Sequence, residues 1–344
     1  MQGARCLDFS GGEEYNRLVS ELRPANSTIT RANRWDHLLA RCGVNRSGHR
    51  VAPGLYALGT PDGSCPVFVT ANYTLSFDAL RSALNGLDAY ILVLDTEGIN
   101  VWCAAGKGTF GTDEVVRRVE ATGLAEVVDH RKLILPQLGA PGVAAHEVKR
   151  RCGFAIEYGP VRAADLPQYL ETHRATPEMR RVRFSLGDRL VLIPVEVVHG
   201  LLPVAVAAAV LYFVGGWLPA LAAVAAILAG VVLFPILLPW LPGHDFSVKG
   251  FFLGGVAAVP FAAAVVLGNP GTPWWRLAIA ALSYLLAMPP VTAFLALNFT
   301  GSTTFTSRTG VRREIFRYVP VMAGMLGAGV ALAFLPALVR ALGG

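Results

Sequence analysis

Apolar positions follow two regimes along this chain. Between about residues 51 and 189, short apolar runs alternate with stretches of helical period; beyond residue 190 polar positions nearly vanish. The first regime predicts strands at 66–70, 90–94, 132–135 and 154–157, with helices between them at 77–84, 112–121, 143–152 and 164–172. Such alternation indicates an α/β unit built on a mainly parallel sheet. The second regime holds five windows free of charged residues, at 199–217, 219–241, 250–268, 277–298 and 319–339. Each is close to the ~20 residues that cross a ~30 Å hydrocarbon core. The predicted organisation is therefore an N-terminal extension (1–50), an α/β domain (51–189) and an all-α domain of about five membrane helices (190–344). The extension is polar, with an amphipathic piece at residues 34–41, and His37 and His49 are read as surface residues.

Charge sharpens this division. Residues 1–189 hold 23 of the 30 Lys and Arg and 21 of the 24 Asp and Glu, leaving 7 and 3 for the remainder. The net charge of +6 comes largely from basic residues that flank apolar segments, which argues against nucleic acid as a partner. Arg180, Arg181, Arg183, Arg189, Lys249, Arg308, Arg312, Arg313 and Arg317 fall on one side of a five-span arrangement, against Arg276 and Arg340 on the other. The positive-inside rule then places the α/β domain and N-terminus on the cytoplasmic side of the inner membrane and the C-terminus outside. No apolar leader follows Met1, so no cleaved signal peptide is expected. Five cysteines without a CxxC pair suit a reducing compartment and argue against a metal cluster held by this chain alone.

The candidate chemistry lies after the strands. In open α/β sheets, ligands bind beyond the carboxyl ends of the strands, where loops let backbone approach closely. Four such loops occur here: 71–73, the segment after residue 94, 136–142 and 159–162. Candidate ligand contacts are Thr70 and Asn72 after the first strand, Gln137, Leu138, Gly139, Ala140 and Gly142 after the third, and Gly159 after the fourth. The second loop carries Asn100-Val101-Trp102-Cys103-Ala104-Ala105-Gly106-Lys107. Asn100 is a suitable N-cap for a short helix on which Asn100, Cys103 and Lys107 share a stripe. Ala104, Ala105 and Gly106 are small enough for a flat ligand to come near the sulfur. A cysteine among alanines is also an ordinary small buried hydrophobe, and the segment alone leaves both readings open. Neither GxGxxG nor GxxxxGK[ST] is present, so nucleotide binding has no support.

Residues 100–107 resemble the cap-helix motif N-[VI]-W-C-A-[AS]-G-K of the mercury-methylating corrinoid proteins. Residues 136–142 and 158–162 resemble the corrinoid domain of the corrinoid iron–sulfur protein of acetyl-CoA metabolism. The likeness covers roughly residues 50–185 by motif, and the membrane helices extend it by layout. It implies a Rossmann-like domain holding a cobalamin-type corrinoid, with Cys103 as lower axial ligand to cobalt and residues 100–107 as a lid. It also implies a methyltransferase that passes a methyl group from methylcobalt(III) to Hg(II), forming methylmercury. The implied partners are a folate-type methyl donor, a ferredoxin-like protein with two four-iron clusters as electron donor, and the lipid bilayer. Two other classes remain open: a corrinoid methyl carrier with a different acceptor, and a transporter with a regulatory α/β domain.

Overall fold

The computed structural model describes residues 22–45, 48–303 and 306–343. Cys6, the N-terminal segment read for a signal peptide and part of the hydroxyl-rich 299–310 loop lie outside these residues. The chain divides into two compact units, residues up to 40 with 44–182, and residues 41–43 with 183–344.

The first unit is a six-stranded mixed sheet in the order β1-β2-β4-β3-β5-β6. Its strands are β1 (Arg23–Ala25), β2 (Gly54–Leu58), β3 (Val67–Ala71), β4 (Ala89–Leu94), β5 (Lys132–Leu135) and β6 (Ala155–Tyr158). Strands β3 to β6 run parallel, in the positions the apolar runs predict, while β2 pairs antiparallel with β4. Sequence reading missed β1 and β2. The first is a three-residue edge strand containing Pro24, which a sheet tolerates only where no ladder donor is needed. The second is a half-buried run, Gly-Leu-Tyr-Ala-Leu, too short for its alternation to stand out.

Every residue of β3 and β4 is buried, because helices cover both faces. Side chains alternate between those faces. Val67, Val69, Ala71, Leu92 and Leu94 join one core with Val115, Val119, Val148 and Phe154. Phe68, Ile91 and Val93 join the other with Phe77, Leu80, Leu166 and Tyr169. The helices are α1 (Arg31–Arg41), α2 (Thr74–Ala83), α3 (Val101–Lys107), α4 (Thr112–Ala121), α5 (Leu124–Val127), α6 (Ala145–Cys152) and α7 (Leu166–Thr172).

Neither N-terminal histidine is a surface residue. His49 is 4% exposed, with Nδ1 2.7 Å from Asp36 Oδ1 and Nε2 2.7 Å from the Val44 carbonyl. His37 lies 2.7 Å from the buried Asp78, which also accepts from Arg81. Both rings spend their polarity on anchoring α1, a role that local hydropathy does not reveal.

Among the described residues, the second unit contains five helices long and apolar enough to cross a membrane, at Leu186–Gly215, Trp217–Leu237, Phe246–Leu267, Trp274–Ser302 and Thr309–Leu335. The first comprises α8 (Leu186–Leu190) and α9 (Ile193–Gly215); the second comprises α10 (Trp217–Leu228), a wider turn and α11 (Phe234–Leu237). Helices α12 (Phe246–Leu267) and α13 (Trp274–Asn298) pack through small residues. A Cβ on Gly250 would fall 2.5 Å from Ala293 Cα, and one on Gly254 would fall 2.7 Å from Pro289 Cα. Glycines four apart give the backbones the close approach that apolar surroundings reward. The final helix, α14 (Arg308–Gly343), places Glu314 at the start of α12, where its carboxylate accepts from the Phe246 and Ser247 N–H groups at 3.2 and 3.1 Å. Arg189 donates to the Pro235 and Ile236 carbonyls at 3.1 Å each, satisfying the end of α11.

Candidate functional site

Strands β3 to β6 end at Ala71, Leu94, Leu135 and Tyr158 along one edge of the sheet. The short helix α3 stands at that edge. Asn100 caps it as its sequence predicts: the side-chain oxygen accepts from Cys103 N–H at 2.9 Å, and the backbone at φ −64°, ψ 159° is extended. Gly108, at φ +91°, closes the helix in the left-handed conformation that glycine adopts freely.

Helical spacing sorts the lid residues into two faces. Val101, Ala104 and Ala105 are buried and pack toward the sheet, beside the fully buried Phe110. Cys103 is half-buried on the opposite face, with Gly106 and Lys107 exposed next to it. A Cβ placed on Gly106 would meet open space.

Below the lid, a cavity of about 280 Å³ opens between α3 and the strand ends. Its wall includes Thr70, Asn100, Val101, Trp102, Leu138 and Gly159 from the predicted set. Pro160 and Val161, from the 159–162 loop marked in the sequence, also line it, whereas Ser76, Leu80 and Leu166 were missed, since they come from two helices with no common motif. Cys103 is outside that wall, as are Asn72, Gln137, Gly139, Ala140 and Gly142. The helix therefore has two sides: Trp102 and Val101 line the cavity, and Cys103 does not.

The remaining predicted residues shape the lid. A Cβ on Gly142 would lie 2.2 Å from the Phe110 carbonyl and 3.0 Å from Ala105 Cα, and one on Gly139 would lie 2.5 Å from the Phe110 ring. Both glycines let the 136–142 loop close against α3. Gln137 accepts from Arg180 at 2.7 Å. Asn72 is 2% exposed, and its amide is committed to the 95–98 turn. Its nitrogen donates to Asp95 at 3.1 Å, and its oxygen accepts from Thr96 N–H, Thr96 Oγ1 and Gly98 N–H at 3.1, 2.9 and 2.9 Å.

Glu114, in the first turn of α4, went unrecognised in the sequence. It is buried, accepts the Asp95 N–H at 2.8 Å and pairs with Arg117 and Arg118. Tyr158 donates to the Val143 carbonyl at 2.6 Å, and burial raises its pKa above the ordinary tyrosine value. Among the described residues, no group of three or more His, Cys, Asp or Glu side chains is placed to hold a metal ion.

The family match lies within this unit. The family described as CO dehydrogenase/acetyl-CoA synthase delta subunit matches residues 44–169. Among individual proteins, the acetyl-CoA decarbonylase/synthase complex subunit gamma of Methanopyrus kandleri is 33% identical over 128 residues, which is 37% of this chain and 27% of that protein. The subunit of the same name from Methanocaldococcus jannaschii is 35% identical over 185 residues, covering 48% of this chain and 38% of the relative. That of Methanothermobacter thermautotrophicus is 28% identical over 176 residues, 45% of this chain and 38% of the relative. The chain thus spans well under half the length of these relatives.

Proposed function

We propose that the first unit is a corrinoid-binding methyl carrier and that the second anchors it in the cytoplasmic membrane, with the sheet unit on the cytoplasmic side. The observation that carries this reading is helix α3: a capped lid at the carboxyl edge of a largely parallel sheet, with Cys103 half-buried next to the exposed Gly106 and Lys107. The family match over residues 44–169 and the likeness to acetyl-CoA decarbonylase/synthase gamma subunits support it.

The residues fit the group in a particular way. A cavity of about 280 Å³ is at the small end of ligand sites and accommodates part of a corrinoid, not the macrocycle. The outward face of α3 would hold the ring, with Cys103 Sγ as a sulfur ligand to cobalt and Lys107 as a cation for an anionic substituent. The apolar wall of Thr70, Trp102, Leu138 and Gly159 would hold a substituent and keep water from it. When bound, the corrinoid supplies a cobalt centre that accepts a methyl group and releases it to an acceptor. The chain's part is to present a sulfur donor whose electron density tunes that centre. Asn100 fixes the first turn through the Cys103 N–H, and Gly139 and Gly142 let the supporting loop reach the lid, so the sulfur is held by packed backbone.

We assign Hg(II) as the acceptor, forming methylmercury, from the resemblance of residues 100–107 to the mercury-methylating cap motif. A soft cation suits a methyl group pushed outward by a thiolate. A folate-type donor and a ferredoxin-like reductant with two four-iron clusters complete the scheme. The second reading is a methyl carrier serving another acceptor, favoured by the named relatives. The visible spectrum of the corrinoid-loaded protein tests the site: a sulfur-ligated spectrum should be present in the wild type and lost in Cys103→Ala, and identical spectra would remove Cys103 from the cobalt. Methylmercury formation in cells supplied with the ferredoxin partner separates the two acceptors.

A further inference from the structure

Helix α1 (Arg31–Arg41) contributes no buried residue to the sheet unit, yet its two sides differ sharply in charge. One side is the anchor. Asp36 faces His49 at 2.7 Å and His37 faces Asp78 at 2.7 Å. Asp36 is the only acidic residue in the helix, so the ion pairs draw its one negative charge inward. The other side runs through Arg31, Arg34, Trp35 and Leu38, at offsets of three, four and seven residues, which place them on one stripe. Trp35 is 62% exposed and Leu38 48%. Arg31 and Arg34 are exposed beside them, and Arg41 closes the helix.

An aromatic and an aliphatic side chain flanked by guanidinium groups, with no carboxylate among them, is the composition of a helix lying in a membrane interface. Tryptophan favours headgroup depth, and the arginines complement anionic headgroups. The chain itself brings a bilayer within reach: residues 173–185 alone separate the end of α7 from the first apolar helix, which begins at Leu186.

We propose that the Arg31–Arg34–Trp35–Leu38 face docks on an anionic phospholipid surface, Trp35 and Leu38 entering the acyl boundary and the arginines meeting phosphate. This gives the sheet unit a second attachment besides its covalent tether. It is independent of the corrinoid reading.

The test uses the full chain in nanodiscs of phosphatidylcholine alone or mixed with phosphatidylglycerol, some with brominated acyl chains. Subtracting the emission of Trp35→Phe isolates Trp35 from the other tryptophans. In anionic discs the Trp35 emission should be blue-shifted, quenched by brominated lipid and shielded from aqueous iodide. Arg31→Gln/Arg34→Gln should return it to the iodide-accessible state, while amide exchange of 31–41 in detergent matches the wild type and confirms an intact helix. Trp35 emission that stays red and iodide-accessible in anionic discs overturns the proposal and leaves this face for a protein partner. Equal quenching with and without the two arginines overturns the electrostatic part.

Discussion

One side-chain oxygen of Asn72 accepts both the backbone N–H and the hydroxyl of Thr96, at 3.1 and 2.9 Å, and so ties the end of β3 to the turn that launches α3. Within that turn Glu97 has φ of +59°, a left-handed conformation costly for a residue with a side chain, followed by Gly98 at +73°, which glycine adopts freely; local hydrogen bonds compensate for the strain at Glu97. Asn72→Ala should leave the Thr96 and Gly98 N–H groups without their acceptor, at a cost of about 1–3 kcal/mol each before relaxation and solvation, while the Thr96 hydroxyl keeps the Ile99 carbonyl at 2.7 Å. Faster amide exchange at residues 95–100, with β5 and β6 unchanged, is the expected signature. Unchanged exchange in the turn would mean that Glu114 alone holds it.

Gly142 sits where a methyl group would overlap the Phe110 carbonyl at 2.2 Å. Gly142→Ala should therefore push the 136–142 loop off α3 and lower the thermal midpoint of the sheet unit, by an overpacking cost of about 1–3 kcal/mol. Cys152→Ala should have little effect on methyl transfer, because that thiol lies on α6, where it packs at the edge of the core and bonds only weakly to the Val148 carbonyl at 3.3 Å.

A proline within α3 attacks the lid directly. Ala105 lies mid-helix and is buried against the sheet, so Ala105→Pro removes a helical donor and inserts a ring, at about 3 kcal/mol or more. Corrinoid binding with a sulfur-ligated spectrum should disappear in this variant. Its survival would show that the outward face tolerates an unwound backbone.

The Asp36–His49 contact should loosen as pH rises above the ordinary histidine value. Burial draws the His49 pKa down, but the Val44 carbonyl and the Asp36 carboxylate raise it by more, to a net value above the usual 6.5. A histidine whose folded pKa exceeds its unfolded one stabilises fully below about 6.5, and that contribution is lost as pH rises through the folded value. Exchange of amides 31–41, corrected for intrinsic rate, should accelerate across that range in the wild type and be flat in His49→Gln. A flat profile in the wild type would deny the charged pair its role.

Between α12 and α13, Gly254→Leu should force the helices apart, since even a Cβ there meets Pro289 Cα at 2.7 Å. A lower thermal midpoint in detergent is expected, with Gly255→Leu as the control because a Cβ at Gly255 meets open space.

The parts of this molecule that were legible in sequence are those encoded by local periodicity. Uninterrupted apolar runs such as Ala89–Leu94 mark strands covered on both faces, and Asn100 with Gly108 brackets the lid. What escaped depends on distant partners. His49 reads as a polar loop residue until Asp36 and Val44 close around it, and Asn72 reads as a ligand contact until the 95–98 turn takes its amide. The two faces of α3 were implicit in its spacing. Which of them met the cavity depended on where the sheet lay, and Trp102, not Cys103, took that side.

The Glu314 carboxylate bears on the order in which the chain is assembled. The N–H groups that begin α12 are satisfied by a residue 68 positions downstream, on the fifth apolar helix. Until that helix has been made, the third has its leading donors held by other partners, and it acquires this acceptor only when the fifth packs against it. A chain cut after residue 303 would retain four of the five apolar helices and leave the start of the third without Glu314.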